Sequence, residues 1–439
     1  MSDPRLLPIE SSRAWSPREA IAPRLTQTPG RFIVTSNGSE GCYGGWEVCY
    51  PVPDSAYVEV QVKARPKDLA RGLDSVHAAI VWDVEGMTLP RWEPLLPASA
   101  EGGEIVYRGR GVKPERARGL SVRLLIAWSQ SGAVRWSMPE VTEAGPPPAR
   151  LWRLGAAGGS LPPGERSVAT NTAAYLELCR EAAAAGVDLL CLPEVMLTTG
   201  LPCDETTLPE QAIRLPGPEI EPFQAFAREH RMALCFSAWE REAELIHNTA
   251  ILIGKTGELV GKYRKVHLAS PYEVWWGVTP GHEFPVYDLD GAQVAMNICM
   301  DSSALESARV PARLGAEILC MPIMGDHRAV KVWDAGAAEF DLDRWTAIQR
   351  VRAMDNQLTM VISRNEGIGC GIFSPRGEVL ALSQGERLVH APVDLADLPL
   401  TWPGATFRGV AWWERREPTY GPLVGGPGNG SAPTSCGRR

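Results

Sequence analysis

The 439-residue sequence has no apolar run approaching the roughly 18 to 20 residues that cross a bilayer as a helix. Its opening stretch, MSDPRLLPIESSRAW, lacks the apolar core and cleavage site of a secretion signal, so a cytoplasmic protein is expected. Excess positive charge is also missing. Forty-four Lys and Arg stand against 52 Asp and Glu, a net charge of −8, which excludes the broad basic surface a nucleic-acid partner needs. The ten cysteines include no C-x-x-C pair and no Cys/His spacing of a zinc site, so no structural metal is expected. Cys191, Cys235 and Cys320 lie inside apolar segments (DLLCLPE, MALCFSAW, EILCMP), where free cysteine acts as a small hydrophobe. Reduced thiols are expected, one of them reactive.

What is present divides into two grammars. The length favours two domains, and 44% hydrophobic with 22% charged residues is ordinary for a globular protein. Residues 1–145 read as all-β, a sandwich of jelly-roll type: SAYVEVQVKAR, HAAIVWDVEG, GGEIVYRGRG and LSVRLLIAWSQSGAVRW are separated by Gly and Pro breaks. Six tryptophans fall here (Trp15, Trp46, Trp82, Trp92, Trp128, Trp136). They are expected mainly in the core, with a carbohydrate or protein ligand of this module as the alternative role. Pro146, Pro147 and Pro148 mark a linker over 146–150, since proline neither joins a sheet interior nor continues a helix.

From 151 to 400 strands and helices alternate, which predicts an α/β layered domain whose strand ends carry function. LWRLGAA, LLCLPE, ALCFSAW, the pair around KTGE, ILCMPIM and LTMVISRNEG read as strands. NTAAYLELCREAAAAGVD, EPFQAFAREHRM, SALESARVPARLGAE and DLDRWTAIQRVRAMDN read as helices. The extension 401–439 is expected to dock through Trp412 and Trp413 and to end in about 15 disordered residues rich in Gly, Pro and Ser.

Three strand ends stand out: Glu194 after LLCLP, Lys265 in KYRKVHL, and Cys299 in VAMNICMD. Singly, each has an ordinary reading as a surface acid, a solvated cation or an inert thiol. Together they supply a nucleophile, a base and a cation for a developing oxyanion, without histidine.

In their order and spacing these segments resemble the three catalytic motifs of the nitrilase superfamily, the carbon–nitrogen hydrolases. EAAAAGVDLLCLPE, PGHEFPVYDLDGAQVAMNICMD, Glu273, Glu306, Arg309, GAEILCMP, RAMDN and ISRNEG match further landmarks over about residues 150 to 400. Two positions depart from the pattern: Leu305 stands where the family has proline, and Asp355 where glutamate is commoner. The N-terminal module lies outside the resemblance.

The resemblance implies an αββα sandwich, a homo-oligomer, a small amide or carbamoyl substrate, and no metal or organic cofactor. It implies that Cys299 attacks an amide carbon, Glu194 moves the protons, and Lys265 with a backbone N–H near Met300 holds the oxyanion. Glu273 is expected to keep Lys265 charged and oriented. Cys299-Met300-Asp301, rather than the Cys-Trp-Glu of many nitrile-cleaving members, favours amide or carbamoyl amide; nitrile hydrolysis, acyl transfer and a non-catalytic scaffold are the alternatives. Tyr272, Trp275, Trp276 and His327 are the candidate pocket residues, and Arg328 a candidate carboxylate fork.

Overall fold

The computed structural model describes residues 5–159, 161, 163–331, 339–400, 406, 409–410 and 417–424. They form two compact units, one of residues 5–148 with the described residues after 397, the other of residues 149–397. Residues 145–150, with their three prolines, have no regular structure. Trp412, Trp413 and the expected disordered tail lie outside the described residues. No helix among the described residues is long and apolar enough to cross a membrane.

The first unit holds two antiparallel sheets. One runs Ser11–Trp15, Tyr43–Tyr50, Ala117–Ala127, Val76–Val84, Arg91–Pro94. The other runs Arg24–Thr28, Arg31–Thr35, Ala133–Ser137, Tyr57–Lys67, Glu104–Val112, Leu96–Glu101, with Glu140–Ala144 also paired to Tyr57–Lys67. Alternation drives the pairing: Val58, Val60, Val62 and Ala64 point inward while Glu59 and Arg65 face solvent. Phe32, Val34 and Val60 of one sheet share a core with Val48, Ile80 and Leu124 of the other. The tryptophans divide. Trp82 and Trp136 are core and Trp46 packs against it, whereas Trp15 and Trp92 line a surface groove with Tyr43, on which Trp128 stacks.

In the second unit two six-stranded sheets carry the site. The first has the order Leu259–Arg264, Leu245–Ile253, Ala233–Glu242, Leu189–Cys191, Leu151–Ala157, Leu388–Asp394. The second has the order Val286–Leu289, Ala292–Met296, Ile318–Ile323, Thr359–Arg364, Gly371–Phe373, Val379–Leu382. The central strands pair in parallel and are buried along their whole length, as strands covered on both faces must be. The sheets pack on each other, and the thiols of Cys191, Cys235 and Cys320 lie within 4.8 Å of one another. All three are free cysteines, buried as small apolar groups.

Helices flank the sheets. Val168–Ala184 begins at a reciprocal cap, Ser167 Oγ accepting from the Thr170 N–H at 3.1 Å and Thr170 Oγ1 from the Ser167 N–H at 2.9 Å. It stops at Gly186, whose φ of +71° lies in the left-handed region that glycine tolerates. Its buried face of Tyr175, Leu178, Cys179 and Ala182 joins the cluster of Leu190, Phe223, Phe236 and Ile251. Glu306–Arg313 and Leu342–Asn356 lie on the side of the second sheet.

A buried carboxylate fixes the outermost strand of the first sheet. Glu240 accepts from Thr249 Oγ1 at 2.8 Å, Arg264 Nε at 2.9 Å and Lys262 Nζ at 2.5 Å. Burial pushes its carboxyl up, but Arg264, Lys262 and Thr249 outweigh this and hold it down at about 2. Its contribution to stability is thus full above the ordinary value of 4.5 and is lost as pH falls toward 2. Glu240→Gln is expected to lower unfolding free energy by about 2 kcal/mol at neutral pH. In denaturant melts the gap between the two proteins should close in acid. A gap unchanged by pH would refute the role given to the charge.

Candidate active site

Three loops at strand ends bring Glu194, Lys265 and Cys299 to one cavity of about 470 Å³. Glu194 lies just beyond the short strand Leu189–Cys191, and the next residue, Val195, has a left-handed φ of +41°. The Val195 N–H is held by Ser237 Oγ at 2.8 Å, and Asn365 Nδ2 donates to the Glu194 carbonyl at 2.8 Å. The carboxylate is only 3% exposed. Its Oε2 accepts from the Met324 N–H at 2.9 Å, and its Oε1 from Asn248 Nδ2 at 2.8 Å and Lys265 Nζ at 3.0 Å.

Lys265 follows directly on the strand Leu259–Arg264 and is 1% exposed. Its backbone is pinned on both sides: its N–H donates to the Asn248 carbonyl at 2.9 Å, and its carbonyl accepts from Gly281 at 2.8 Å. Nζ lies 2.8 Å from Glu273 Oε2. Glu273, on the short helix Tyr272–Trp275, is itself fixed by the Ala269 N–H at 2.5 Å and by Asn248 Nδ2 at 2.8 Å. Burial would push the ammonium toward neutrality, but Glu194 and Glu273, with the Cys299 sulfur, outweigh it and hold its pKa above the usual lysine value. It stays charged.

Cys299 comes from the other sheet. It opens a 3-10 turn, Cys299–Ser303, beyond the strand Ala292–Met296, and its φ is +44°. A non-glycine residue in that region carries on the order of 1–2 kcal/mol of strain. Asp301, 1% exposed, holds the turn. It accepts from the Ile298 N–H at 2.9 Å, Tyr263 OH at 2.7 Å, the His267 N–H at 3.1 Å and His267 Nδ1 at 2.8 Å. One carboxylate thereby joins the cysteine turn to the segment that carries Lys265. The hydrogen bond to Asp301, partly offset by burial, raises the His267 pKa above its ordinary 6.5.

The Cys299 thiol donates to the Gly325 carbonyl at 3.6 Å. Burial first, then the Glu194 charge, pushes it up to about 12, with Lys265 pulling the other way. At neutral pH this sulfur holds its proton until a base removes it, and Glu194 lines the same cavity.

Tyr272 and Trp276 line the cavity, one helical turn apart. Trp275 does not. It is 77% exposed because the intervening position on the turn points away from the cavity. Met300 is also outside the lining, its sulfur 3.8 Å from Ser303 Oγ. The side chain of His327 falls outside the described residues. Arg328 is not an open carboxylate fork: Nε binds Asp326 at 2.9 Å and Nη2 binds the Ser302 carbonyl at 2.6 Å. Two contributors went unread in the sequence. Asn248 bridges both carboxylates, and its only signal was an amide at the head of the apolar run NTAILI; Asn365 sits in ISRNEG.

Asp301→Asn replaces an acceptor for four donors, two at each oxygen, by a group that presents N–H to two of them. It is expected to destabilise the protein by about 2–3 kcal/mol. Thermal or denaturant unfolding measures this, and a loss under 0.5 kcal/mol would show that the carboxylate is not what holds the turn.

The chain is similar to several known proteins. An omega-amidase of Homo sapiens is 28% identical over 246 residues, covering 52% of this chain and 84% of that protein. An omega-amidase of Xenopus laevis is 31% identical over 237 residues, 50% of this chain and 81% of that protein. The solved structure of an amidase from Nesterenkonia sp. shares the fold, with a TM-score of 0.50 at 20% identity over 62% of this chain and 96% of that one. Residues 155–401, more than half of the sequence and including all three strand-end residues, match the carbon-nitrogen hydrolase family, and the chain belongs to it.

Proposed function

We propose that the protein hydrolyses an amide C–N bond through a thioester on Cys299. The observation that carries this reading is a buried ammonium held between two carboxylates beside a thiol in one cavity. Glu194 takes the thiol proton as Sγ bonds to the amide carbon. Lys265 and the backbone N–H near Met300 hold the negative oxygen of the tetrahedral species. That species collapses, the C–N bond breaks, and Glu194 returns the proton to the leaving nitrogen. Water then attacks the thioester with Glu194 again taking a proton, the C–S bond breaks, and acid and free thiol are released. Glu273 holds Lys265 charged. The omega-amidase relatives support an amide in preference to a nitrile.

Removing the nucleophile should abolish ammonia release, so Cys299→Ala is expected to be inactive on any amide the wild type cleaves. Glu194→Gln should lose about 100- to 10,000-fold in kcat. Burial, the largest cause of the raised thiol pKa, remains in this variant, so raising pH to 9 should restore little of the loss. Intact-protein mass spectrometry after mixing should find the acyl group on Cys299. Activity retained in Cys299→Ala would sink the mechanism.

The outer helices support self-association as part of the same proposal. Leu305 and Leu314 by Glu306–Arg313, and Val351 and Met354 on Leu342–Asn356, expose 63%, 62%, 50% and 41% of their surface. Light scattering should find an oligomer that Leu314→Glu weakens; a wild-type monomer at all concentrations would count against it.

A further inference from the structure

The walls of the cavity, taken with the thioester reading on which this step rests, bear on the substrate. We propose that the acyl portion of the substrate is apolar and uncharged, a simple aliphatic or arylalkyl amide, and that this site rejects an amide bearing a distal carboxylate.

The first support is what the lining presents. Val195, Leu201, Trp239, Trp276 and Met324 wall the space beside the reacting groups. The two threonine hydroxyls are already engaged: Thr198 Oγ1 donates to the Val195 carbonyl at 3.1 Å, and Thr199 Oγ1 shares a hydrogen bond with Tyr175 OH at 3.1 Å. Asn365 gives one N–H to the Glu194 carbonyl, and its Oδ1, which has no hydrogen-bond partner, offers an acceptor that a carboxylate cannot use. What remains for a ligand is mostly hydrocarbon and aromatic surface, with the Trp239 indole N–H and the Tyr272 hydroxyl as its neutral donors, and such surface binds an apolar acyl chain at about 25 cal/mol per Å² buried.

The second support is charge. Among the described residues Lys265 is the one cation of the lining, and it is shared by two carboxylates. The nearby guanidinium of Arg364 is committed at every donor the structure assigns. Nε binds the Met324 carbonyl at 3.1 Å, Nη1 the Ile368 carbonyl at 2.9 Å, and Nη2 the Glu366 carboxylate at 2.5 Å. Glu366 itself brings a carboxylate to the cavity margin. Arg328 is bound to Asp326 and Ser302. A second carboxylate entering with the substrate would lose its hydration and face like charge with no partner to offset either.

The test compares hexanamide with adipamate, the same chain length ending in a carboxylate. Ammonia release by the full-length wild type is expected to favour hexanamide by at least 100-fold in kcat/KM, mostly through KM. Calorimetry on Cys299→Ala, which needs no turnover, should find hexanamide bound at least tenfold more tightly than adipamate. Leu201→Lys, which adds an ammonium to the wall, should narrow the wild-type gap about tenfold. Equal or tighter binding of adipamate to Cys299→Ala would overturn the proposal. The binding arm separates the two readings: if the wild type hydrolyses neither amide while Cys299→Ala still prefers hexanamide, the hydrolytic reading fails and the acyl preference stands.

Discussion

An ammonium with almost no contact with water is the constraint around which the second unit is arranged. A lysine removed from solvent loses several kcal/mol of hydration unless negative charge replaces it. Glu194 and Glu273 replace it, at 3.0 and 2.8 Å. Two carboxylates so close would repel each other if left alone, and Asn248 relieves this by donating to both. The backbone carbonyl of the same asparagine receives the Lys265 N–H. One residue of the strand Leu245–Ile253 therefore sets the lysine's main chain and the position of both its counter-charges.

The same charges act on the nucleophile in opposite directions. Lys265 favours a thiolate, while burial and Glu194 disfavour it, and the second pair wins. A resting thiol surrounded by apolar walls is poorly suited to indiscriminate alkylation, since the thiolate is the reactive species. In the mechanism proposed above, reaction waits for a carbonyl carbon placed against the sulfur, when proton transfer to Glu194 and negative charge at the oxygen develop together. The positive charge of Lys265 is better matched to that oxyanion than to the resting thiol, and such differential stabilisation is what accelerates a step.

Much of this was legible in the sequence because it depends on local pattern. Alternation in SAYVEVQVKAR predicted a strand with one face buried, and Tyr57–Lys67 is that strand. Strand-like segments with Glu, Lys or Cys at their ends read as carrying function, and the three residues meet in one cavity. What the sequence concealed was set by contacts between distant segments. Asn248 and Asn365 act on Glu194 across 54 and 171 positions, and an amide in an apolar stretch carries no mark of its partner. Trp275 and Trp276 are neighbours in SPYEVWWG, and only the turn of a short helix decides that one lines the cavity and the other faces solvent. Arg328 reads as an open fork until Asp326, two positions away, is seen to occupy it.

Glu194 and Lys265 hang from one sheet and Cys299 from the other. The first sheet is closed along Leu151–Ala157 by Leu388–Asp394, the last strand of the unit, more than 200 residues later in the chain. During synthesis the base and the cation leave the ribosome well before the strand that completes their own sheet, and the nucleophile arrives between them. Long-range pairings of this kind form late, because loop closure precedes the contacts that reward it. A chain in which the two sheets have not docked therefore holds the Cys299 thiol apart from Glu194 and Lys265, so the proposed site is complete only in the fully packed unit.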